Sequence, residues 1–257
     1  MEPLDFTREG AVARLRFRRP EVLNALDLAM ARALRDACRE IAADPSVRVV
    51  VMSGEGRAFV AGGDVALMRE DPVRNAGELI ALAHEAIELL AGLRAPVVAS
   101  LHGVVAGGGL GLALAADLAI AAEGTRFNLA YANIGTSCDC SSSWALPRLV
   151  GVRKALEIAL LSDTFDAAEA LRLGLVNRVV PADALVAETE TLVRRLASGA
   201  PLALGKLKQL MRESFGRSLP EQLAAERGAF LECAATEDFC EGTAAFLEKR
   251  KATYQGR

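Results

Sequence analysis

Two glycine-rich segments, each directly after a short apolar run, constrain the fold of this chain more than any other feature. The first, Gly54 to Gly63, follows the valine-rich run Val47 to Ser53. The second, Gly103 to Gly111, follows the run Pro96 to Leu101 and leads into an apolar helix predicted over Leu110 to Ala116. Strand, glycine turn and helix therefore recur in order. This order predicts an α/β fold whose parallel strands are joined by helical crossovers.

Other periodicities predict further elements around these units. Alternation predicts an N-terminal hairpin of Leu4 to Arg8 and Ala11 to Phe17. Asp27 is placed to cap a helix over Leu28 to Ala43, and a second helix is predicted over Ala76 to Leu93. The remaining expectations are strands at Asp117 to Ala122 and Leu175 to Val180 and helices at Trp144 to Leu161, Ala167 to Leu173, Asp183 to Ala197, Ala203 to Phe215 and Leu219 to Lys251.

Composition narrows the class of protein. The chain has 257 residues, of which 52% are hydrophobic, enough for one large core. Its formal net charge of −3 does not suggest the concentrated basic face that nucleic-acid binding needs. We see neither a signal peptide nor an apolar run long enough for a membrane span. The five cysteines suggest neither a disulfide framework nor a metal site. We therefore expect a cytoplasmic protein without metal, nucleic-acid or membrane partners.

The glycine turns have a chemical interpretation as well as a structural one. Glycine lets a ligand approach the main chain closely, and the first N–H groups of a helix have no internal acceptor. Such a corner attracts a phosphate or a developing oxyanion. Alternatively, the glycines serve only tight packing of helix on strand. A dinucleotide-binding turn is a weaker alternative, because Gly107, Gly108 and Gly109 lack the G-x-G-x-x-G spacing.

Six motifs taken together resemble the enoyl-CoA hydratase/isomerase (crotonase) superfamily, in family order and over nearly the whole chain. They are RPEVLNALD (Arg19 to Asp27), GEGRAFVAGGDV (Gly54 to Val65), APVVASLHGVVAGGGLGLALAADLAIA (Ala95 to Ala121), LPRLVG (Leu146 to Gly151), ALRLGLVNRVVP (Ala170 to Pro181) and EGTAAFLEKRKATYQGR (Glu241 to Arg257). The resemblance implies a spiral of ββα units over residues 1–200 and a helical trimerisation region over residues 201–257. It also implies a homotrimer or a dimer of trimers.

The resemblance also implies a ligand and a set of site residues. The ligand is an acyl-CoA thioester, with coenzyme A as part of the substrate and no separate cofactor. The main-chain N–H groups of Gly63 and Gly108 correspond to the family's oxyanion hole. Substrate- and CoA-binding positions carry over to Val22, Leu23, Ala25, Ala61, Gly62, Asp64, Val65, Tyr131, Phe246 and Lys249. For Phe246 and Lys249 the alternatives are a core aromatic and a solvated lysine.

Two positions depart from a typical hydratase of this family. Such enzymes add water with a pair of glutamates, one lying three residues after the second hole glycine and the other twenty residues further on. The chain has Gly111 and Tyr131 at these places. Neither residue can transfer a proton as a carboxylate does, so hydration by two glutamates is excluded.

Asp139 is the candidate for a different acid. It lies in the segment IGTSCDCSSSW, Ile134 to Trp144. Isomerases of the 1,2-epoxyphenylacetyl-CoA type carry a proton-shuttling aspartate at this place, and 4-chlorobenzoyl-CoA dehalogenases carry a nucleophilic one. Cys138 replaces the proline that is usual in these relatives. The alternative is that Asp139 caps the helix predicted from Trp144.

His84 is a possible auxiliary residue. It falls where the dehalogenases carry a catalytic histidine, although an ordinary helix residue at a pocket wall or at the surface is the favoured interpretation. The favoured hypothesis is an enoyl-CoA isomerase that stabilises a thioester enolate and uses Asp139. The alternatives are a dehalogenase-like hydrolase, an enoyl-CoA hydratase and a catalytically silent acyl-CoA binder.

Overall fold

The computed structural model describes residues 2–257. Within this range ten strands form two sheets. The strands are β1 (Leu4–Glu9), β2 (Val12–Phe17), β3 (Val49–Gly54), β4 (Ala58–Val60), β5 (Val97–Leu101), β6 (Val104–Ala106), β7 (Leu118–Ala122), β8 (Arg126–Asn128), β9 (Phe165–Asp166) and β10 (Arg178–Val180).

The helices lie around these sheets. They are α1 (Leu28–Ala43), α2 (Val65–Glu70), α3 (Pro72–Gly92), α4 (Gly108–Ala115), α5 (Ser142–Val150), α6 (Val152–Leu161), α7 (Ala167–Arg172), α8 (Leu185–Ala197), α9 (Pro201–Glu213), α10 (Leu219–Ala234) and α11 (Glu237–Leu247).

The larger sheet has six strands in the order β1-β2-β3-β5-β7-β10. The hairpin of β1 and β2 is antiparallel, and every other neighbouring pair is parallel. Its central strands are buried on both faces, and all five residues of β5 are buried. A parallel sheet covered on both sides requires continuous apolar strands, which explains why the sequence shows apolar runs here rather than alternation.

The smaller sheet explains how the fold brings two glycine corners together. Its strand order is β4-β6-β8-β9, with β4, β6 and β8 parallel. The chain contributes β3, β5 and β7 to the larger sheet and, after each of them, a short strand to the smaller one. The predicted spiral of ββα units is thus confirmed. Because β4 and β6 are parallel neighbours, the turns after them meet at one edge.

Helix α4 differs from the other helices because all eight of its residues are buried. Helix α1 is amphipathic, with Met30, Leu34 and Ile41 on its buried face, and the Asp27 side chain caps its first turn by accepting the Met30 N–H at 2.8 Å. The interior position of α4 explains its composition of glycine, alanine and leucine. Its bounds correct the sequence prediction, because α4 begins at Gly108 rather than Leu110.

Three other predictions needed correction. The expected helix from Trp144 to Leu161 is two helices, because Gly151 adopts φ 77°, ψ 156° between them. The expected helix from Leu219 to Lys251 is also divided, and Thr236 starts α11 by accepting the Phe239 N–H. The four strands of the smaller sheet, of two or three residues each, were not predicted individually.

The C-terminal helices dock on the core through a charged cluster. Asp117, just before β7, accepts hydrogen bonds from the Val97 N–H, the Lys208 ammonium and the Arg212 guanidinium at 2.7–2.8 Å. Burial lowers the pKa of Lys208, although the charge of Asp117 opposes this effect. The division of the chain into residues 1–200 and 201–257 stays a prediction. Across residues 2–257, no helix combines the length and the apolarity that crossing a bilayer requires.

Candidate active site

The two glycine corners touch each other. A Cβ on Gly107 would lie 3.4 Å from the Cα of Gly62, so the two corners are in van der Waals contact. Gly107 also has φ 50° and ψ −125°, a backbone conformation that favours glycine. The Gly107 N–H donates to the Asn128 carbonyl oxygen at 3.0 Å, and this hydrogen bond fixes the corner on β8.

The main-chain amides next to this contact have no acceptor. Among the described residues, neither the Gly63 N–H nor the Gly108 N–H donates a hydrogen bond to the protein. Gly108 is the first residue of α4, a buried helix whose dipole makes this end positive. A buried N–H without a partner costs free energy, which an oxygen ligand recovers. The arrangement can therefore stabilise negative charge on an oxygen atom.

A ladder of main-chain hydrogen bonds joins the first loop to the Gly63 corner. The Ala61 N–H donates to Leu23 O at 3.1 Å, the Leu26 N–H to Gly62 O at 2.8 Å and the Asp64 N–H to Leu26 O at 2.8 Å. This ladder brings the predicted CoA-binding residues of both segments to one place: Val22, Leu23, Ala25, Ala61, Gly62 and Asp64. Val22 and Val65 are exposed there.

Two side chains that the sequence analysis did not single out hold this loop. Asn24 is fully buried, has φ 58°, and places Nδ2 within 2.8–3.1 Å of the carbonyl oxygens of Glu55, Ala58 and Phe59. Arg19 contacts Asp27 at 3.3 Å and Asp64 at 3.1 Å. The only signal for them was their position in the RPEVLNALD motif.

Asp64 has a structural task in addition to its predicted one. Its Oδ1 accepts the N–H groups of Ala66 and Leu67 at 3.1 and 3.3 Å, which caps α2, and its Oδ2 faces Arg19. Both oxygens are thus engaged within the chain. Asp64 can still offer main-chain atoms to a ligand.

Phe246 and Lys249 lie apart from the glycine corners within this chain. Phe246, near the end of α11, is 83% exposed and packs on little of its own chain. Lys249 is exposed just after that helix, with φ 57°. Phe246 is therefore not a core aromatic. That either residue binds coenzyme A stays a prediction.

Asp139 lies beside the second corner. Its Oδ1 is 3.8 Å from the point at which a Cβ on Gly108 would stand, and Cys140 Sγ is 3.2 Å from the same point. The Tyr131 hydroxyl donates a short hydrogen bond to this same Oδ1. Asp139 does not cap α5 with its side chain, because the residue before that helix is Ser141 and no side-chain cap is present. The carboxylate is therefore available next to the free amide of Gly108.

The segment around Asp139 occupies the space next to Gly111. A Cβ on Gly111 would stand 2.3 Å from the Cys140 carbonyl oxygen and 2.6 Å from Cys140 Cβ. These distances are far below van der Waals contact. A glutamate at position 111 is therefore incompatible with the observed course of residues 138–142, and the Asp139 segment can lie here only because residue 111 is glycine.

His84 contacts this segment, but its Nε2 is engaged in a hydrogen bond and is not free to act as a base. It is exposed on α3, and its Nε2 accepts the Cys140 N–H at 3.1 Å. Nε2 is thus the unprotonated nitrogen and its lone pair is engaged. His84 supports the main chain next to Asp139.

Burial shifts the two other titratable groups of the segment. Burial is the main cause that raises the pKa of the Tyr131 hydroxyl, and the nearby Cys140 and Asp139 raise it further. Burial also raises the pKa of the Cys140 thiol, followed by the charge of Asp139. Both groups therefore stay protonated at neutral pH, and Cys140 lacks the thiolate character of a nucleophile.

Comparison with known proteins agrees with this geometry. Residues 7–257 match the enoyl-CoA hydratase/isomerase family model. The chain is 34% identical to the crotonyl-CoA hydratase of Syntrophomonas wolfei over 98% of both chains, and 32% identical to the 1,2-epoxyphenylacetyl-CoA isomerase of Escherichia coli over 97% of both. An enoyl-CoA hydratase structure from Bacillus anthracis superposes with a TM-score of 0.95 at 28% identity, covering 99% of this chain and all of the other. The chain belongs to the enoyl-CoA hydratase/isomerase family.

Proposed function

We propose that this protein is an enoyl-CoA isomerase that stabilises a thioester enolate at Gly63 and Gly108 and moves a proton with Asp139. The acyl-CoA thioester places its carbonyl oxygen at the two free amides. Each such amide donor typically contributes about 3 kcal/mol of transition-state stabilisation. The coenzyme A moiety lies along the ladder between Leu23 and Asp64.

The reaction needs one carboxylate. Asp139 takes a proton from the carbon next to the thioester carbonyl of a 3-enoyl-CoA. The C–H electron pair forms the enolate carbon–carbon bond, and the carbonyl π pair moves onto the oxygen between the amides. The protonated Asp139 then returns the proton to the γ-carbon, which leaves a 2-enoyl-CoA. One group can act first as base and then as acid, so nothing is consumed.

One observation carries this proposal. A carboxylate side chain at position 111 cannot coexist with the observed course of the segment that holds Asp139. The Cys140 carbonyl oxygen, 2.3 Å from a Cβ at position 111, takes the space of the first hydratase glutamate. At the position of the second, the Tyr131 hydroxyl donates to Asp139. Neither glutamate position therefore carries a carboxylate, and Asp139 is the carboxylate beside Gly108. This favours proton transfer within the substrate over addition of water.

Incubation with 3-enoyl-CoA thioesters in deuterated water tests the proposal. We expect conversion to the 2-enoyl isomer with deuterium at the carbons that gain or exchange a proton. Absence of both a shifted double bond and deuterium exchange with every 2- and 3-enoyl-CoA would remove the isomerase. Formation of 3-hydroxyacyl-CoA without isomerisation would identify a hydratase instead. Saturable binding without any turnover would identify a silent acyl-CoA binder.

The dehalogenase alternative has a separate test. It requires His84 to activate water, but His84 Nε2 accepts the Cys140 N–H. Halide release from 4-halobenzoyl-CoA would reinstate this alternative and would show that the His84 hydrogen bond opens during the reaction.

We further infer that copies of this chain assemble as homotrimers, alone or as dimers of trimers. Helix α6 exposes Val152, Leu156 and Leu160 along one face, and α10 exposes Leu223 and Phe230. Exposed apolar side chains at helical spacing favour burial against another copy. Native mass measurement tests the assembly: a multiple of three is expected, and a monomer or dimer would contradict it.

A further inference from the structure

Tyr131 provides the one side-chain hydroxyl that contacts the proposed base. It directly follows Ala130, which has φ 62°, and it is buried, with 9% of its surface exposed. Its hydroxyl donates to Asp139 Oδ1. Among the residues that the structure describes, no oxygen or nitrogen donor reaches Asp139 Oδ2, although the Cys140 thiol also hydrogen-bonds to this carboxylate. The two oxygens of the carboxylate are therefore not equivalent.

We propose that Tyr131 is a positioning residue that anchors Oδ1 of Asp139 and leaves Oδ2 to the substrate. This inference rests on the proposed function for its catalytic consequence. The contact between Tyr131 and Asp139 can be tested separately, without a substrate.

The direction of the effect follows from the chemistry of the pair. A hydrogen bond donated to a carboxylate stabilises its charged form. The phenol cannot reverse this role and act as a base, because it is buried next to a negative group and stays protonated at neutral pH. Tyr131 therefore acts as a hydrogen-bond donor to Asp139 and fixes the direction from which Asp139 takes a proton.

Few other groups face Asp139. Cys140, on the same segment, is a buried protonated thiol. On α3, His84 contacts the main chain of Cys140 rather than the carboxylate. On α4, the group beside Asp139 is the corner at Gly108, which is the positive end of the helix dipole. Among the described residues, none of the ion pairs includes Asp139. Among the described residues, the Tyr131 hydroxyl is therefore the oxygen donor that fixes the orientation of the Asp139 carboxylate.

Carbon-13 NMR of protein labelled at the aspartate carboxyl carbons tests this directly. The resonance missing from Asp139→Asn belongs to Asp139. In Tyr131→Phe its titration midpoint should move to higher pH, since a hydrogen bond donated to the carboxylate is lost. Tyr254→Phe, which changes the only other tyrosine, is the matched control and should leave the midpoint unchanged.

Kinetics provide the second readout. In Tyr131→Phe the acidic limb of kcat/KM for label exchange should move to higher pH by the same amount, with a several-fold fall in kcat and little change in KM. A merely structural role would lower stability without moving either midpoint. If wild type shows neither isomerisation nor exchange with any enoyl-CoA, the isomerase proposal fails, while the NMR midpoint still decides the role of Tyr131.

A chemical variant covers the case in which Tyr131→Phe does not fold. In a Tyr254→Phe background, 3-fluorotyrosine at position 131 is a more acidic phenol and a stronger donor. The Asp139 midpoint should then move to lower pH. An unchanged Asp139 midpoint in both Tyr131→Phe and the fluorinated protein, or shifts opposite to those stated, would overturn the proposal.

Discussion

The two sides of the candidate site are built in different ways. The glycine corners at Gly63 and Gly108 are formed by main-chain atoms, and the second corner begins the fully buried helix α4. The segment of residues 138–142 is held by side chains from elsewhere, through the Tyr131–Asp139 and His84–Cys140 hydrogen bonds. Two consecutive non-glycine residues in it, Cys140 and Ser141, have positive φ, which costs about 1–2 kcal/mol each.

This difference separates two tasks. The corners depend on the sheet and the core, so they provide a fixed pair of free amides, which in the proposed function hold the thioester oxygen. The segment depends on a few replaceable contacts, and it determines which proton-transferring group stands beside that oxygen. Variants that separate thioester binding from proton transfer test this division.

Asp139→Asn should separate the two sides most clearly. Loss of the base should lower the exchange rate by about 10³-fold, in the range for general acid–base catalysis. The dissociation constant for an acyl-CoA, measured by calorimetry, should stay within about twofold, because the uncharged amide keeps the shape of the side chain. Retention of more than a tenth of the activity would show that Asp139 is not the base.

Gly108→Pro should show how much the Gly108 N–H contributes to catalysis. Proline is accepted at the first position of a helix but has no N–H, so kcat should fall by about 10²–10³-fold. Gly108→Ala is the matched control, because it keeps the N–H and adds the same Cβ, 3.2 Å from Cys140 Sγ. Similar losses in both variants would mean that crowding, not the missing donor, is responsible.

His84 variants should affect the segment alone. His84→Leu leaves the Cys140 N–H without its acceptor, which should lower the free energy of unfolding by about 1 kcal/mol and the exchange rate by several-fold. His84→Gln retains an acceptor oxygen and should recover most of both. Denaturant unfolding and exchange kinetics measure the two effects. A glutamine variant as inactive as the leucine one would indicate a catalytic imidazole instead.

Lys249→Ala should give the smallest effect, because Lys249 belongs neither to the glycine corners nor to the segment of residues 138–142. An exposed lysine that meets a phosphate contributes about 0.5 kcal/mol, so KM for an acyl-CoA should rise roughly twofold at low salt, with kcat unchanged. Lys251→Ala, two residues away and also exposed, is the control. Equal KM values for both variants and wild type would remove Lys249 from the CoA site.

The sequence predicted the parts of the fold that have a period or a chemical marker. Helix α1 was predicted with its bounds and its Asp27 cap, because both the apolar spacing and the capping residue are local. The strands of the smaller sheet were missed, since three residues are too few to show alternation. The break at Gly151 depends on one backbone angle that the apolar pattern does not reveal.

The candidate site shows the same limit. Gly63, Gly108, Asp139, Tyr131 and His84 were all named from motifs, and the structure places Asp139 beside Gly108, joined to Tyr131, with His84 on the next residue. Their contacts were not predictable, because each joins residues far apart in the chain. The crowding between Gly111 and Cys140 is the clearest example, since it appears only once α4 and the 138–142 segment are packed together.

The enclosure of α4 has a consequence for how this scaffold can change. A helix that is buried on all sides tolerates few substitutions, because any larger side chain must displace its neighbours. The free N–H of its first residue, Gly108, is therefore retained together with the packed core, whatever reaction the protein performs. New chemistry, in nature or in the laboratory, has to be introduced through the segment laid against this helix, where a different backbone course admits a different reactive group.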